Sequence, residues 1–307
     1  MKNLTVVDIG ARGGLHPRWV IGEPHVTAVL FEPDAQAFAR LAPRTSFVLI
    51  NVALSDTAGD RDFFVCRAAE LSSMYEPNFS VLRHFAEAPY FTVVEKCKRV
   101  TDSLDNQLSV HAVADVDFIK IDVEGHELPI LRGAERALNQ VIGLEVEVSF
   151  LEVYQGQALF DQVYRFVAQR GFELFDLRRY YWQRRDLPKG VVGRKGQLVS
   201  GDALFLRPPM MVCAFPLLDD GKLRNAVKVY LAYGYPDLAC ELVELALAQG
   251  IIPSSMYQSL QEMIWTCARR WLLPDFKGKR SMHRLLLKLA ELCVSKSRYQ
   301  PDQRLGN

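Results

Sequence analysis

The 307-residue sequence has no apolar run approaching the ~20 residues of a membrane-spanning helix, so it carries no segment of that kind. No basic stretch followed by an apolar one opens the chain, and no secretory signal is expected. Cysteine is sparse and scattered, at Cys66, Cys97, Cys213, Cys240, Cys267 and Cys293. None of the six forms a Cys-x-x-Cys pair, and none has a histidine at zinc-ligand spacing. The pattern reads as reduced, buried thiols of a cytoplasmic protein. Net charge is +1, too little for a global field that would recruit nucleic acid. The Gly-x-Gly-x-x-Gly turn of a nicotinamide dehydrogenase is also missing, because Gly10-Ala11-Arg12-Gly13-Gly14 lacks the second glycine at the required place.

What is present describes an ordinary globular chain, 49% apolar and 24% charged. Its length predicts two domains, or one large and one small. The chain is organised around Thr5 to Gly14. Thr5, Val6 and Val7 predict a buried strand that stops at Asp8 and a glycine turn, the composition of a strand ending at a ligand. Further strands are predicted over Val26–Phe31, Ser46–Val52, Arg61–Cys66, Phe91–Val100, Val116–Asp122, Val141–Phe150, Phe172–Trp182 and Leu198–Leu206. Ala53 to Asp56 reads as turn chemistry or as polar groups for a purine edge. Helices are expected over Leu15–Gly22, Ala35–Leu41, Glu127–Leu138 and Phe160–Arg170, and Thr101-Asp102-Ser103 reads as the cap of a further short helix. The last two strands suggest a hairpin that places one antiparallel strand at the sheet edge.

Pro208-Pro209 is the best linker. Beyond it, Asp219–Gly234, Pro236–Gln249, Pro253–Leu272 and Ser281–Ser295 show helical spacing and no strands, as an interaction, lid or oligomerisation unit would. Only the polar tail from Ser295 to Asn307 reads as disordered.

Chemistry concentrates at strand ends. Glu32 lies 22 positions after Gly10, where an acid accepts hydrogen bonds from ribose hydroxyls. Asp122, Glu124, His126 and Glu127 crowd one strand end, a setting for acid–base work or a divalent cation. Glu127 is read as a partner of the helix dipole. Glu145 and Glu147 share one face of their strand, and Glu147, near its carboxyl end, is expected to face the cleft or an arginine. The long irregular stretch Arg67–Tyr90 and the basic Gln183–Gln197 loop are read as substrate-side.

Four motifs in order, VVDIGARGG, FEP, ALSD with Gly59, and FIKIDVEGHELPILRGA, resemble the FkbM family of S-adenosylmethionine-dependent methyltransferases over roughly residues 1–207. The resemblance implies a class I methyltransferase (Rossmann-like) α/β fold. Its seven-stranded, mostly parallel sheet would have an antiparallel last strand, and a small all-α unit, 208–307, would follow. It implies O-methyl transfer to a sugar, glycan or related natural product by direct in-line attack. Asp8, Gly10, Ala11, Arg12 and Gly14 would form the first cofactor motif, Glu32 and Pro33 the ribose end, and Ser55 and Asp56 the adenine end. Asp122 would face both methyl group and acceptor, with Glu124, His126 and Glu147 as further candidates for the base. Mg²⁺ is not required by the resemblance; if used, Asp122 and Glu124 would hold it. Arg12 stands where the family often has Asn. The helix that often covers the cofactor cleft is missing ahead of the first strand, so the C-terminal helices or a second subunit are expected to supply cover. Those helices are also the expected seat of a homodimer or protein contact. The other reading is a methyltransferase-like binding module without turnover.

Overall fold

The structure, a computed structural model, describes residues 2–20, 26–185, 196–268, 276–292 and 299–301. In chain order, the first half holds β1 (Leu4–Ile9), α1 (Pro17–Val20), β2 (Val26–Phe31), α2 (Ala35–Phe38), β3 (Phe47–Ile50), β4 (Ala53–Ser55), β5 (Gly59–Cys66), α3 (Phe79–Leu82), β6 (Val93–Ser103), α4 (Leu104–Val110) and β7 (Phe118–Ile121). Then follow α5 (Glu127–Arg132), α6 (Glu135–Leu138), β8 (Gly143–Ser149), α7 (Phe160–Ala168), β9 (Glu173–Trp182), β10 (Gln197–Leu206), α8 (Pro209–Cys213), α9 (Asp220–Ala232), α10 (Pro236–Ala248), α11 (Ser254–Ala268), α12 (Lys279–Leu292) and β11 (Tyr299–Pro301).

The main sheet has the order β11-β9-β10-β8-β7-β1-β2-β3, and β4, β6 and β5 form a separate small sheet. Strands β3, β2, β1, β7 and β8 are mutually parallel, whereas β10 runs antiparallel to both β8 and β9. β11 adds an eighth strand, antiparallel to β9; the other seven are the expected mostly parallel sheet with an antiparallel last strand, β10. That antiparallel strand lies inside the sheet and not at its edge, because β10 inserts between β8 and β9.

Alternation explains the two cores. Val7, Ile9, Ile119, Ile121, Val146 and Phe205 face α4, α5 and α7 through Leu104, Leu128, Leu131 and Val163. On the other face, Leu4, Val6, Phe118, Leu204 and Leu206 meet Val227 and Tyr230 of α9, Tyr233 at its end and Leu242 of α10. Helices α1 and α2 are one turn each, too short to cover that face, so the C-terminal helices do it. Pro208-Pro209 opens α8, whose Val212 enters the same core.

Three local expectations change. The helix expected over Glu127–Leu138 is two, α5 and α6, broken at Gly133. There the backbone presses on another strand: a Cβ on Gly133 would stand 2.2 Å from the Ser55 carbonyl oxygen. Ala53–Ser55, read as turn, is β4 and pairs with Thr101–Ser103. Beyond residue 208, where no strand was expected, Tyr299–Pro301 pairs with β9, an edge position at which proline is tolerated. The end of the first helix near Gly22, most of the Gln183–Gln197 loop, the end of the helix near Leu272 and the rest of the tail lie outside the described residues.

A buried ion cluster pins α9 beneath the sheet. Lys222, 2% exposed, reaches Asp115 and Asp117 at 2.8 Å each and the Val116 carbonyl at 2.9 Å. Asn225 donates to Asp117 at 2.8 Å and to the Asn3 carbonyl at 3.0 Å. Removing one partner of such a cluster strands the other charge in a low-dielectric interior. Lys222→Met is expected to lower unfolding free energy by about 3–5 kcal/mol, measured by urea denaturation.

Candidate active site

The carboxyl ends of β2, β1 and β7 are tied together beyond their ladders. Gly10 N and Ala11 N both donate to the Phe31 carbonyl at 3.0 Å, and Asp122 N donates to the Ile9 carbonyl at 3.0 Å. Gly10 has φ +85°, and a Cβ there would stand 2.0 Å from the Asp122 carbonyl oxygen. Only glycine satisfies both conditions. This crossing gathers Gly10, Arg12, Glu32, Pro33, Asp122, Glu124 and His126 around one cavity of about 280 Å³. Val52, Leu54, Phe63, Val65 and Ile130 supply apolar wall. Among the described residues, none beyond Ile130 lines it, so the cover comes from the small sheet and the segment from Ala69 to Met74, and not from α9–α12.

Other expected residues lie outside this lining. Asp8 is buried on the β1 face shared with Val6, 3.8 Å from Lys120. Ala11 is buried, and Gly14 lines a second, separate cavity. Ser55 and Asp56 are already engaged. The Ser55 hydroxyl lies 3.0 Å from Asp56 and 2.9 Å from His126 Nε2, and Asp56 pairs with Arg61. If the Ser55 proton goes to Asp56, the His126 proton sits on Nε2 and its buried Nδ1 is left without a partner. Glu147 approaches Asp122 and Glu124, with one oxygen of each within 4.8 Å of the others.

Glu32 is buried at the end of β2, and its Oε1 accepts from Asp34 N at 2.8 Å. Asp34 in turn caps α2 by accepting from Ala37 N at 2.7 Å. Glu124 is one of two non-glycine residues with positive φ among those described, at +59°. Its carbonyl accepts from Ser73 Oγ at 2.6 Å, and its Oε2 lies 2.9 Å from the Tyr154 hydroxyl. Glu127 folds back, accepting from Gly125 N at 3.0 Å and Val123 N at 3.2 Å, and so straps the loop that presents Glu124.

A family model of the methyltransferase FkbM domain matches residues 8–174. The chain belongs to the FkbM methyltransferase family. No curated protein matches it. Similar solved structures include the precorrin-6y C5,15-methyltransferase of Geobacter metallireducens, at 11% identity over 67% of this chain and 82% of that one, TM-score 0.35. A putative RNA methyltransferase of Pyrococcus horikoshii is 12% identical over 67% and 76%, TM-score 0.32. A putative tRNA (m1A22) methyltransferase of Streptococcus pneumoniae is 14% identical over 87% and 91%, TM-score 0.29. Family membership makes S-adenosylmethionine the methyl donor.

The electrostatics of this FkbM methyltransferase centre on an excess of buried acids. Burial, with the charge of Asp122, lifts Glu124 to about 8. Burial lifts Glu127 to about 7 against the hydrogen bonds it accepts, and raises Glu147 well above the usual carboxyl range. Asp8 is pushed to about 6 by burial, with Lys120 opposing. His126 is lowered to about 4 by burial and the Arg61 charge, so it is neutral at pH 7. Proton counting agrees for Glu124. The Tyr154 hydroxyl also lies 2.8 Å from the Leu71 carbonyl, and its single proton cannot serve two acceptors. When it goes to Leu71, Glu124 must be the donor, as a carboxylic acid.

Residue-type reasoning missed Tyr154, Ser73 and Lys120. Lys120, 3.0 Å from Asp122, had a signal: it is the one base in the FIKID stretch and alternates onto the face of Asp8. Tyr154 lies 30 residues from Glu124 and had none.

These shifts set the sign of a pH dependence. Carboxyls with a folded pKa above the unfolded value hold protons that the unfolded chain releases, so stability falls as pH rises. The window runs from about 4.3, the unfolded value, to about 8 for Glu124. The thermal midpoint is expected to fall through this range, and the fall to be smaller in Glu124→Gln. Scanning fluorimetry at stepped pH checks it; an equal slope in both proteins would count against the assignment.

Proposed function

We propose that the protein methylates a hydroxyl of a sugar, glycan or related natural product in the cytoplasm by direct in-line transfer. The observation that carries this reading is the placement of Gly10, Glu32 and Asp122 around a single cavity. The residues suit the cofactor: a glycine that lets backbone approach closely, a buried acid for ribose hydroxyls, and apolar walls for a flat base. Bound S-adenosylmethionine supplies a methyl group made electrophilic by its sulfonium.

The chain's own task is alignment and proton removal. Holding an acceptor oxygen in line contributes several kcal/mol. Asp122, partly exposed and held by Lys120 at 3.0 Å, is the group proposed to take the hydroxyl proton. Glu124, protonated near neutrality and donating to the Tyr154 hydroxyl, becomes a base only above about pH 8. Glu147 lies behind it. His126, neutral and bound to Ser55, holds the loop against β4. Mg²⁺ would sit among Asp122, Glu124 and Glu147, whose oxygens suit it, but Lys120 already places a positive charge beside Asp122. Acceptor choice is assigned to Arg67–Tyr90 and the Gln183–Gln197 loop, and residues 208–307 to a structural and contact role.

A binding module without turnover is separated by measuring affinity and turnover independently. Calorimetry with S-adenosylmethionine and S-adenosylhomocysteine is expected to show binding that weakens tenfold or more in Glu32→Ala, since hydrogen bonds to a charged group are worth about 1.5–3 kcal/mol. Asp122→Asn is expected to keep binding and lose about 10²–10⁴-fold in methyl transfer to an acceptor found by screening glycans with radiolabelled donor. Turnover at the unmodified rate would remove Asp122 from its role.

A further inference from the structure

A surface helix normally turns its apolar stripe to the core and its charges to water. Helix α12 does otherwise. Met282, Leu285, Leu286 and Leu289 recur at the i, i+3, i+4, i+7 spacing of one helical face, and they are 37–57% exposed. Among the described residues, none of α12 joins a hydrophobic core; the last helix to do so is α11. Trp265 on α11 and Phe276 ahead of α12 are exposed as well.

Charge is equally uneven. From Phe276 to Leu292 the sequence carries Lys277, Lys279, Arg280, Arg284 and Lys288 against Glu291 alone, net +4 in a chain of total +1. The rest of the chain is therefore net −3. In the sequence, Arg280, Arg284 and Lys288 recur every four residues, out of step with the four apolar positions, and Arg284 is exposed.

A second copy of the chain suits this face poorly. Fourteen residues make two heptads, short of the three or four that a coiled-coil pairing needs. Four apolar side chains fall well below the roughly 800 Å² per partner of a stable interface. Two such faces would also bring +4 against +4. Nucleic acid would match the charge and leave the leucines in water. An anionic bilayer matches both: leucines enter the acyl boundary, while lysine and arginine stems reach up to the phosphates.

We propose that α12 docks the protein on an anionic lipid surface, lying in the interface plane without crossing it. Among the described residues, no helix is long and apolar enough to span a bilayer. The inference is independent of the acceptor.

The test is co-sedimentation of the full chain with vesicles of phosphatidylglycerol and phosphatidylcholine in equal parts, and with phosphatidylcholine alone. Binding to the anionic vesicles only is expected, weakening as salt is raised. The double variant Leu285→Glu, Leu289→Glu should bind at least tenfold more weakly, and Arg284→Glu should be intermediate. Both variants should keep the unmodified affinity for S-adenosylmethionine, which reports an intact fold because α12 lines no part of that cavity. Failure to bind anionic vesicles, or equal binding to neutral ones, overturns the proposal. So does a dimer in sedimentation velocity that the leucine variant abolishes, or binding to duplex DNA that survives the leucine change and not Arg284→Glu.

Discussion

A glycine pressed against a carbonyl holds the site together. At Gly10 the turn after β1 passes under the end of β7 so closely that a methyl group would stand 2.0 Å from the Asp122 oxygen. The strand-end hydrogen bonds from Gly10 and Ala11 to Phe31, from Asp122 to Ile9 and from Glu32 N to the Ile50 carbonyl extend the same contact across β3, β2, β1 and β7. Glu32 and Asp122, 90 residues apart in the chain, thereby share one cavity. Any larger residue at position 10 would separate β1 from β7 and with them the two acids.

One face of the sheet does two jobs along its length. Leu4, Val6, Phe118 and Leu206 make its amino-end half apolar, and α9 and α10 clamp onto it. By the same alternation, Asp8, Lys120, Glu145, Glu147 and Asp202 occupy the carboxyl-end half. Lys120 stands between Asp8 and Asp122, Glu145 meets Tyr233 at 2.6 Å and Arg18 at 3.6 Å, and Asp202 binds Arg178 and Tyr180. The clamp thus reaches the polar half through Tyr233. Beside Asp122, however, Glu124 and Glu147 form no ion pair among the described residues, and burial drives both toward the neutral acid.

What could be read in the sequence followed from patterns that end within one element. β2 falls on Val26–Phe31 as expected, because a continuous apolar run bounded by charge permits little else. Ser103 caps α4 by accepting from Asn106 N at 3.2 Å, a local signal. Glu145 and Glu147 share one face of β8 as period-two alternation requires, while Glu147 stands beside Asp122 and Glu124 and outside the cavity lining. What escaped depended on partners distant in sequence. Helical periodicity continued through Gly133, where α5 instead ends against the Ser55 carbonyl of a strand distant in sequence. β4 is three residues and needs β6 to exist. The inner position of β10 follows from pairing with β8, which its own sequence does not encode.

The loop from Asp122 to Glu127 combines strain with protonation. Glu124 adopts a left-handed backbone that costs a side-chain-bearing residue about 1–3 kcal/mol. Ser73 holds its carbonyl, Tyr154 its carboxyl, and Glu127 ties down Val123 and Gly125 on either side. Two of these ties come from outside the loop, Ser73 from the segment that covers the cavity and Tyr154 from the segment after β8. Tyr154 can satisfy Leu71 and Glu124 together only while Glu124 keeps its proton. Ionisation of Glu124 would force the hydroxyl to choose, leaving either the Leu71 carbonyl or a buried carboxylate without a donor. The geometry of the loop beside Asp122 and the charge state of the site are therefore one variable, set by burial and read out at the same residue.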